Sequence, residues 1–238
     1  MSTYNIVAST DEATVVSEYA TEYYARSEKY QSEAELEKGF IELLKTQGYE
    51  YLTIHNESML ISNLRKQLEM INDYSFTDTE WKKFFTDKIA NTNEGIVQKT
   101  RKIQEDYVQL LEKDDGAKKN IYLLDKKNVH NNKLQVINQY EEKTGTHEAR
   151  YDVTILVNGL PLVHIELKRR GVAIREAFNQ ISRYQRDSFW SSSGLFDYVQ
   201  LFVISNGTHT KYYSNTVRDT HIRENLNSER KKSKKTSN

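Results

Sequence analysis

Apolar residues in the first half of the chain recur mostly every three or four positions, a period that indicates amphipathic helices. A capping box at residues 32–35 predicts the start of the first helix, and Gly48 is placed to end it. The helical pattern returns from about 58 to 113, with a second capping box at 77–80 and a third helix predicted from about 94 to 111. This half therefore predicts one helix followed by a helical insertion.

Segments with strand-like composition become more frequent toward the second half of the chain. They predict strands at 49–54, 120–125 and 133–139. Two further predicted strands, 151–157 and 162–168, flank the sequence Asn-Gly-Leu-Pro. Because this sequence is typical of a tight turn, the two strands predict a β-hairpin.

A helix and a strand follow this hairpin. Residues 172–187 have the helical period, and residues 198–204 are almost wholly apolar, as in strands buried on both faces of a sheet. The order of strand, helix and strand predicts a right-handed parallel crossover. Together these elements predict an α/β fold in which a mixed central sheet is flanked by helices and interrupted by the helical insertion.

The chain of 238 residues is long enough for one well-cored domain, predicted at residues 31–216. Residues 1–30 are polar and predict a leader or arm. Residues 217–238 predict a basic tail that includes the run RKKSKK at 230–235. This run is explained by a solvated end or by the cut edge of a longer protein, and the alternative is an arm that contacts DNA.

The composition excludes several classes of site. Lys and Arg together count 34, as do Asp and Glu, so any surface for a polyanion must be local. The absence of cysteine excludes disulfides, zinc ribbons and thiol nucleophiles. The histidines lack metal-ligand spacing, and no phosphate-binding loop for ATP is visible. Without a signal peptide or a long apolar run, the chain is expected to be soluble and cytoplasmic, with no membrane partner.

Two carboxylates and an ammonium group lie on the strands of the predicted hairpin. Period-two alternation directs Glu166 and Lys168 to the same face of their strand, and Asp152 lies on the partner strand. Such a set can bind a hard divalent cation and hydrolyse a phosphodiester, with the lysine offsetting charge on the phosphate. An isolated Glu-x-Lys pair is more often a surface pair on a half-exposed strand.

The hairpin register decides whether these groups meet. If Asn158 paired with Pro161 across a two-residue turn, Asp152 would lie opposite Leu167 and would face away from Glu166, because directly opposed residues share a face. The proposed chemistry therefore requires an odd-numbered loop or one β-bulge.

The helix after the hairpin adds polar and basic residues. Gln180 and Tyr184 are four residues apart and share a helix face, although without the preceding hairpin an ordinary polar edge of the helix would be the preferred explanation. Between residues 164 and 186 there are six basic and two acidic residues, a local excess that suits a phosphate backbone. The basic residues are Lys168, Arg169, Arg170, Arg175, Arg183 and Arg186.

The sequence RYDVTILVNGLPLVHIELKRRGVAIREAFNQISRY, at 150–184, followed by LFVISNGT at 201–208, resembles a known family. It is similar to the N-terminal nuclease region of HsdR, the restriction subunit of type I restriction-modification enzymes. The similarity extends from Gln31 to about Asn215. The resemblance implies a PD-(D/E)XK restriction-endonuclease-like fold, although Tyr151 stands where the family usually has proline.

The resemblance also implies roles for single residues. Asp152, Glu166 and Leu167, the last through its main-chain carbonyl, are the implied ligands of Mg²⁺ or Mn²⁺. Lys168 is the implied catalytic lysine.

Three more residues carry implied catalytic roles. Gln180 and Tyr184 match the QxxxY motif of the RecB-like branch, and Glu37 matches the acid of the first helix. From the local charge, Arg169, Arg170 and Arg183 are expected to contact DNA.

Family members continue into ATP-driven motor domains, so this chain is expected to be a fragment with weak or no cleavage by itself. The implied partners are double-stranded DNA and, through the full-length subunit, the methyltransferase (HsdM) and specificity (HsdS) subunits. Two alternatives remain open: a free-standing junction-resolvase-like or repair nuclease, and a non-catalytic DNA-binding or assembly domain.

Overall fold

Local sequence signals and burial set the boundaries of the elements that carry the fold. A computed structural model of the chain describes residues 4–8, 16–20, 32–144, 147–174, 180–181 and 194–214. Within this part of the chain, none of the helices is long and apolar enough to cross a membrane.

The first helices begin where the capping residues predict. Helix α1 spans Glu33–Thr46, and Ser32 and Glu35 form its reciprocal capping box. Thr77 and Glu80 cap α3 in the same way. Gly48 adopts φ +90° just beyond α1, a conformation that L-residues with a side chain rarely adopt. The helices are α1 (Glu33–Thr46), α2 (Glu57–Asn72), α3 (Asp78–Phe84), which continues into a π-helical turn (Phe85–Ile89), and α4 (Ile96–Gln104).

An eight-stranded mixed sheet lies between the helices and confirms the predicted α/β architecture. Its strand order is β1-β2-β10-β9-β8-β7-β6-β3. The β8–β9 and β3–β6 pairs are parallel, and the other described pairs are antiparallel. The strands are β1 (Tyr4–Ala8), β2 (Val16–Ala20), β3 (Glu50–Tyr51), β4 (Val108–Glu112), β5 (Lys118–Tyr122), β6 (Leu134–Thr144), β7 (His147–Val157), β8 (Leu160–Leu167), β9 (Leu201–Ser205) and β10 (His209–Ser214).

Apolar cores cover both faces of this sheet. On one face, Ile41 and Leu44 of α1 pack against alternate residues of the central strands, including Val153, Ile165 and Leu167. On the other face, the larger core includes the fully buried Leu60, Leu64 and Leu68 of α2. The central strands are therefore packed on both faces, which fixes the orientation of their side chains.

One predicted helix is partly wrong. The third helix of the insertion ends at Gln104, and residues 108–112 form β4 of a separate two-stranded hairpin with β5. Leu111 and Ile121 are buried, and Gly116 adopts φ +81° in the turn. The segment thus forms a hairpin with alternate burial and a glycine turn, although its apolar residues also have helical spacing.

Other boundaries shift by a few residues. The predicted strand at 49–54 pairs only over Glu50–Tyr51, at the sheet edge. The strand predicted at 198–204 starts later, because residue 198 is the last residue of a 3-10 turn, Leu195–Tyr198, and β9 begins at Leu201. Within the helix predicted at 172–187, residues 174, 180 and 181 are helical, and 175–179 and 182–187 lie outside the described residues. The basic tail lies outside them as well.

The turn of the central hairpin is packed against the helical insertion. Asn158 and Gly159 form a two-residue turn with φ of 50° and 81°, as expected for an Asn-Gly turn between twisted strands. The buried Asn158 side chain donates to the Leu123 carbonyl and accepts from the Lys133 main-chain N–H. A Cβ at Gly159 would lie 2.6 Å from the Cα of Leu64 in α2.

We predict that Gly159→Ala destabilises the protein more than Gly116→Ala. Both glycines have φ +81°, so both variants carry a backbone penalty of about 1–2 kcal/mol. Only Gly159 would add a contact with backbone, because nothing lies within 4 Å of a Cβ at Gly116. We expect the Gly159 variant to lose at least about 2 kcal/mol more in urea unfolding. Equal losses would contradict this explanation.

Candidate catalytic site

A single β-bulge sets the register of the hairpin that holds the candidate site. Leu156 pairs with Pro161, but Ile155 pairs with Val163, so Leu162 is the additional residue. Without the bulge, Asp152 would lie opposite Ile165 and would face away from Glu166. This confirms the prediction of an odd-numbered loop or one bulge.

Asp152 and Glu166 lie opposite each other after the bulge. The last regular pair is Val153 with Ile165, and the same register continued by one residue joins the two acids on one face. Asp152 Oδ2 accepts a hydrogen bond of 2.9 Å from the main-chain N–H of Leu167. The aspartate side chain therefore reaches across to β8, where it accepts the hydrogen bond that a main-chain carbonyl of the partner strand would otherwise accept.

Lys168 completes the group of charges. Its Nζ lies 2.9 Å from Oε1 of Glu166, whose side chain is completely buried, whereas 12% of the lysine side chain is exposed. His164 is also buried on this face of β8, with Nε2 3.7 Å from Oε2 of Glu166. Two acids, one lysine and one imidazole thus meet at the end of the hairpin.

Burial determines the protonation of these groups. It raises the pKa of Asp152 to about 7, and the Glu166 carboxylate adds to the effect. Burial also raises the pKa of Glu166 to about 7 despite the neighbouring Lys168. Burial alone would lower the pKa of Lys168, but Glu166 outweighs this effect and raises it. Since burial lowers the pKa of His164 to about 4, the imidazole is neutral at pH 7 and does not offset the negative charge.

The donor set fits a hard divalent cation. Oε2 of Glu166 is buried and accepts no hydrogen bond from the described residues. A cation beside the two carboxylates would satisfy this oxygen and would relieve the repulsion between the acids. No three Asp, Glu or His side chains form a metal cluster in the described part of the chain. Main-chain carbonyls and water would therefore have to supply the remaining ligands.

Glu37 contacts the strand beside Asp152. Its two carboxylate oxygens accept 2.5 Å hydrogen bonds from the side-chain amides of Asn138 and Gln139. Successive strand side chains normally point to opposite faces, but Gln139 adopts φ +51°, which lets both amides reach one acid. The register of β6 and β7 puts Gln139 opposite Asp152. Glu37 thus contacts β6 at the residue opposite Asp152, and its catalytic role remains a prediction.

Glu33 is an acid near the site that the sequence analysis missed. Its Oε1 accepts a hydrogen bond of 3.2 Å from the main-chain N–H of Arg169. After burial, which is the main cause, its charge contributes to the raised pKa of Glu166. Glu33 lies one turn before Glu37 on the same face of α1, so the i, i+4 spacing of two acids was the available signal.

The remaining candidates are described only in part. Leu167 has a buried side chain in the core beneath α1, and its N–H is bonded to Asp152. Gln180 is half-buried and helical. Arg170 is exposed on the segment after β8, beside Arg169. Tyr184 and Arg183 lie outside the described residues, so the QxxxY pair stays a prediction.

Known proteins resemble the chain over the region that carries this site. Residues 30–221 match the family model described as Type I restriction enzyme R protein N terminus. The EcoprrI endonuclease subunit of a type I restriction enzyme from Escherichia coli is 55% identical over 193 residues, which are 81% of this chain and 61% of the relative. The SsaAORF53P endonuclease subunit from Staphylococcus saprophyticus is 44% identical over 191 residues, which are 78% of this chain and 20% of the relative.

More distant relatives carry the same kind of name. The putative MjaIXP endonuclease subunit from Methanocaldococcus jannaschii is 31% identical over 116 residues, which are 46% of this chain and 11% of the relative. The chain thus spans about three fifths of the E. coli relative and about a fifth of the staphylococcal relative. The family match covers most of the chain, including the hairpin with Asp152, Glu166 and Lys168. The chain belongs to the family of N-terminal regions of type I restriction enzyme R proteins.

Proposed function

We propose that this chain is the endonuclease module of a type I restriction enzyme R subunit, with a PD-(D/E)XK site that hydrolyses phosphodiesters of double-stranded DNA with Mg²⁺ or Mn²⁺. The observation that carries the proposal is the meeting of Asp152, Glu166 and Lys168 on adjacent strands. The names of the relatives as endonuclease subunits support the same reaction class.

The buried acids argue for a cation-dependent function. Two carboxylates that a single lysine neutralises only in part are costly inside a protein, because burial disfavours the ionised forms. A solely structural site would be more stable with a neutral pair at this position. Perturbed acids next to one lysine, at the end of a packed hairpin, are typical of sites in which function compensates for the cost in stability.

The chain's own residues perform distinct tasks in the proposed reaction. Asp152, Glu166 and the Leu167 carbonyl would hold the divalent ion, which when bound polarises the phosphate and activates water. Lys168, positioned by Glu166, would orient the attacking water or offset negative charge on the phosphate. Neutral His164 and the surrounding core exclude bulk water from the inner side of Glu166. Gln180, Tyr184 and Glu37 would support this set.

The activity of the whole subunit is a further proposal, because the chain covers only part of its relatives. In the full-length subunit, ATP-driven translocation by other domains would deliver DNA to this site. The methyltransferase and specificity subunits would select the DNA sequence, while Arg169, Arg170 and Arg183 contact the backbone without reading bases. The isolated chain is expected to cleave DNA weakly or not at all.

We predict that Lys168→Ala in the full-length subunit, assembled with its methyltransferase and specificity subunits, lowers DNA cleavage at least about 100-fold. ATP hydrolysis should be unchanged, since the lysine acts on the phosphodiester. Cleavage is measured on a plasmid with one recognition site, and ATP hydrolysis by phosphate release. Lys83→Ala removes a lysine from an exposed pair with Glu112 and serves as the control. Undiminished cleavage by the Lys168 variant would show that the lysine has no catalytic role.

We predict that Mn²⁺ binds to the chain at one site and that its affinity increases about tenfold from pH 6 to pH 8. The raised pKa of Asp152 and Glu166 means that the metal-free site holds a proton near neutrality, which the cation must displace. Isothermal titration calorimetry in two buffers of different ionisation enthalpy measures both the affinity and the released proton. Asp152→Ala and Glu166→Ala should abolish binding, whereas Glu112→Ala, at an exposed acid, should not. Binding that survives both site variants would support a non-catalytic DNA-binding or assembly domain.

We predict that Asp152→Asn stabilises the metal-free protein increasingly from pH 5 to pH 8, by on the order of 1–3 kcal/mol at pH 8. The folded-state pKa of Asp152 exceeds the unfolded value, so the wild type loses stability as pH rises through about 7, and asparagine removes that loss. Urea unfolding in EDTA across this range measures the difference.

Asp115→Asn is the control for this pH series. A hydrogen bond from the main-chain N–H of Ala117 holds the pKa of Asp115 below its usual value, so its charge is constant from pH 5 to 8. The effect of the control variant should therefore be independent of pH. A flat difference for Asp152→Asn as well would contradict the raised pKa.

A further inference from the structure

A cavity of about 510 Å³ lies beside the candidate site, between the segment that follows β8 and the turn from β9 to β10. Residues 170–174 form one wall, and the second wall includes Asn206, Thr208, His209 and Lys211. None of the carboxylates of the candidate site lines it. The cavity is therefore a separate feature next to the proposed reaction centre.

One buried asparagine joins the two walls. Asn206 donates from its side-chain amide to the carbonyl of Val172 at 2.9 Å. Its side-chain oxygen accepts hydrogen bonds from the main-chain N–H groups of Thr208 and His209, at 3.0 and 2.7 Å. The shape of the cavity is thus set by hydrogen bonds before any ligand arrives, which lowers the entropic cost of binding.

The charge of the lining favours an anion. Arg170 and Lys211 are basic, and the described lining residues include no acid, although Lys211 lies opposite Glu18 of β2. Arg170 lies close to the β9–β10 turn, since a Cβ at Gly207 would be only 3.5 Å from its Nε. The glycine, with φ +74°, lets the guanidinium stem lie against the turn.

The position of the cavity connects it to the reaction centre. Arg170 follows the catalytic Lys168 by two residues. The main-chain N–H of Lys168 donates to the carbonyl of Ser205 at 2.8 Å, and Ser205 precedes Asn206. The cavity and the lysine thus stand at the ends of the same two paired strands, β8 and β9.

We propose that this cavity binds a backbone phosphate of DNA through Arg170, Lys211 and Thr208. The bound phosphate lies next to the phosphate that is cut, on the same DNA strand. The proposal rests on the proposed nuclease function and names a separate anchor for its substrate. The anchor acts without metal and independently of base sequence, because phosphates carry no sequence information. Its role is to hold the strand in register with Lys168.

The test measures binding of a short fluorescent DNA duplex to the chain by anisotropy, in EDTA, at several salt concentrations. Arg170→Gln with Lys211→Gln should weaken binding and reduce the slope of log affinity against log salt by about 1 to 2, the value for one or two lost phosphate contacts. Lys83→Gln with Lys118→Gln is the matched control. It removes two positive charges from another cavity, which Asp87 and Glu112 also line.

Equal changes of slope in the two double variants would overturn the proposal, as would an absence of salt-dependent binding by the wild-type chain. Thr208→Glu provides a second variant if the first fails to fold, and it should also weaken binding by placing a negative charge in the cavity. Unchanged binding by a folded Thr208→Glu protein would overturn the proposal.

Mn²⁺ calorimetry separates this proposal from the nuclease function. The cavity variants should bind Mn²⁺ as the wild type does, because their side chains hold no metal. A reduced slope of log DNA affinity against log salt, together with normal Mn²⁺ binding, supports the proposed phosphate anchor. Normal DNA binding by the cavity variants, together with loss of Mn²⁺ in Asp152→Ala, would leave the nuclease proposal standing and would refute the anchor.

Discussion

The additional residue in β8 is the constraint on which the candidate site depends. Leu162 changes the phase of the hairpin, so the alternation that buries Ile165 and Leu167 under α1 also directs Glu166 and Asp152 to a common face. The same register therefore determines the positions of both the apolar and the charged side chains of β8. The site is therefore positioned by the same packing that holds the sheet.

This packing has an electrostatic cost. Burial that fixes the two acids also removes them from water, and the charge of Lys168, which pairs directly with Glu166, offsets this effect on both acids only in part. A fold selected for stability alone would have replaced them with neutral residues. A bound cation that supplied the missing positive charge would remove this cost.

The sequence predicted the parts of this arrangement that depend on local signals. Both capping boxes, the central hairpin and the need for a bulge followed from short patterns, because each is decided by neighbouring residues. The hairpin at 108–122 was missed because its apolar residues also fit a helical period. The positive φ of Gln139 had no local signal in the sequence. For Glu33 the spacing from Glu37 was a local signal, but its contact with Arg169 joins residues distant in sequence and was not predictable.

The contact between Gly159 and Leu64 also bears on how the domain is organised. The turn that sets the hairpin register rests on α2, and Asn158 is tied to the ends of the segment that follows the insertion. The helical insertion, which could be taken for an addition to a smaller α/β unit, thus supports the central hairpin of that unit. Shortening this helical region would expose the turn and would allow the register of the hairpin to shift. During evolution, the length of the helical region is therefore expected to vary less than the residues on its surface.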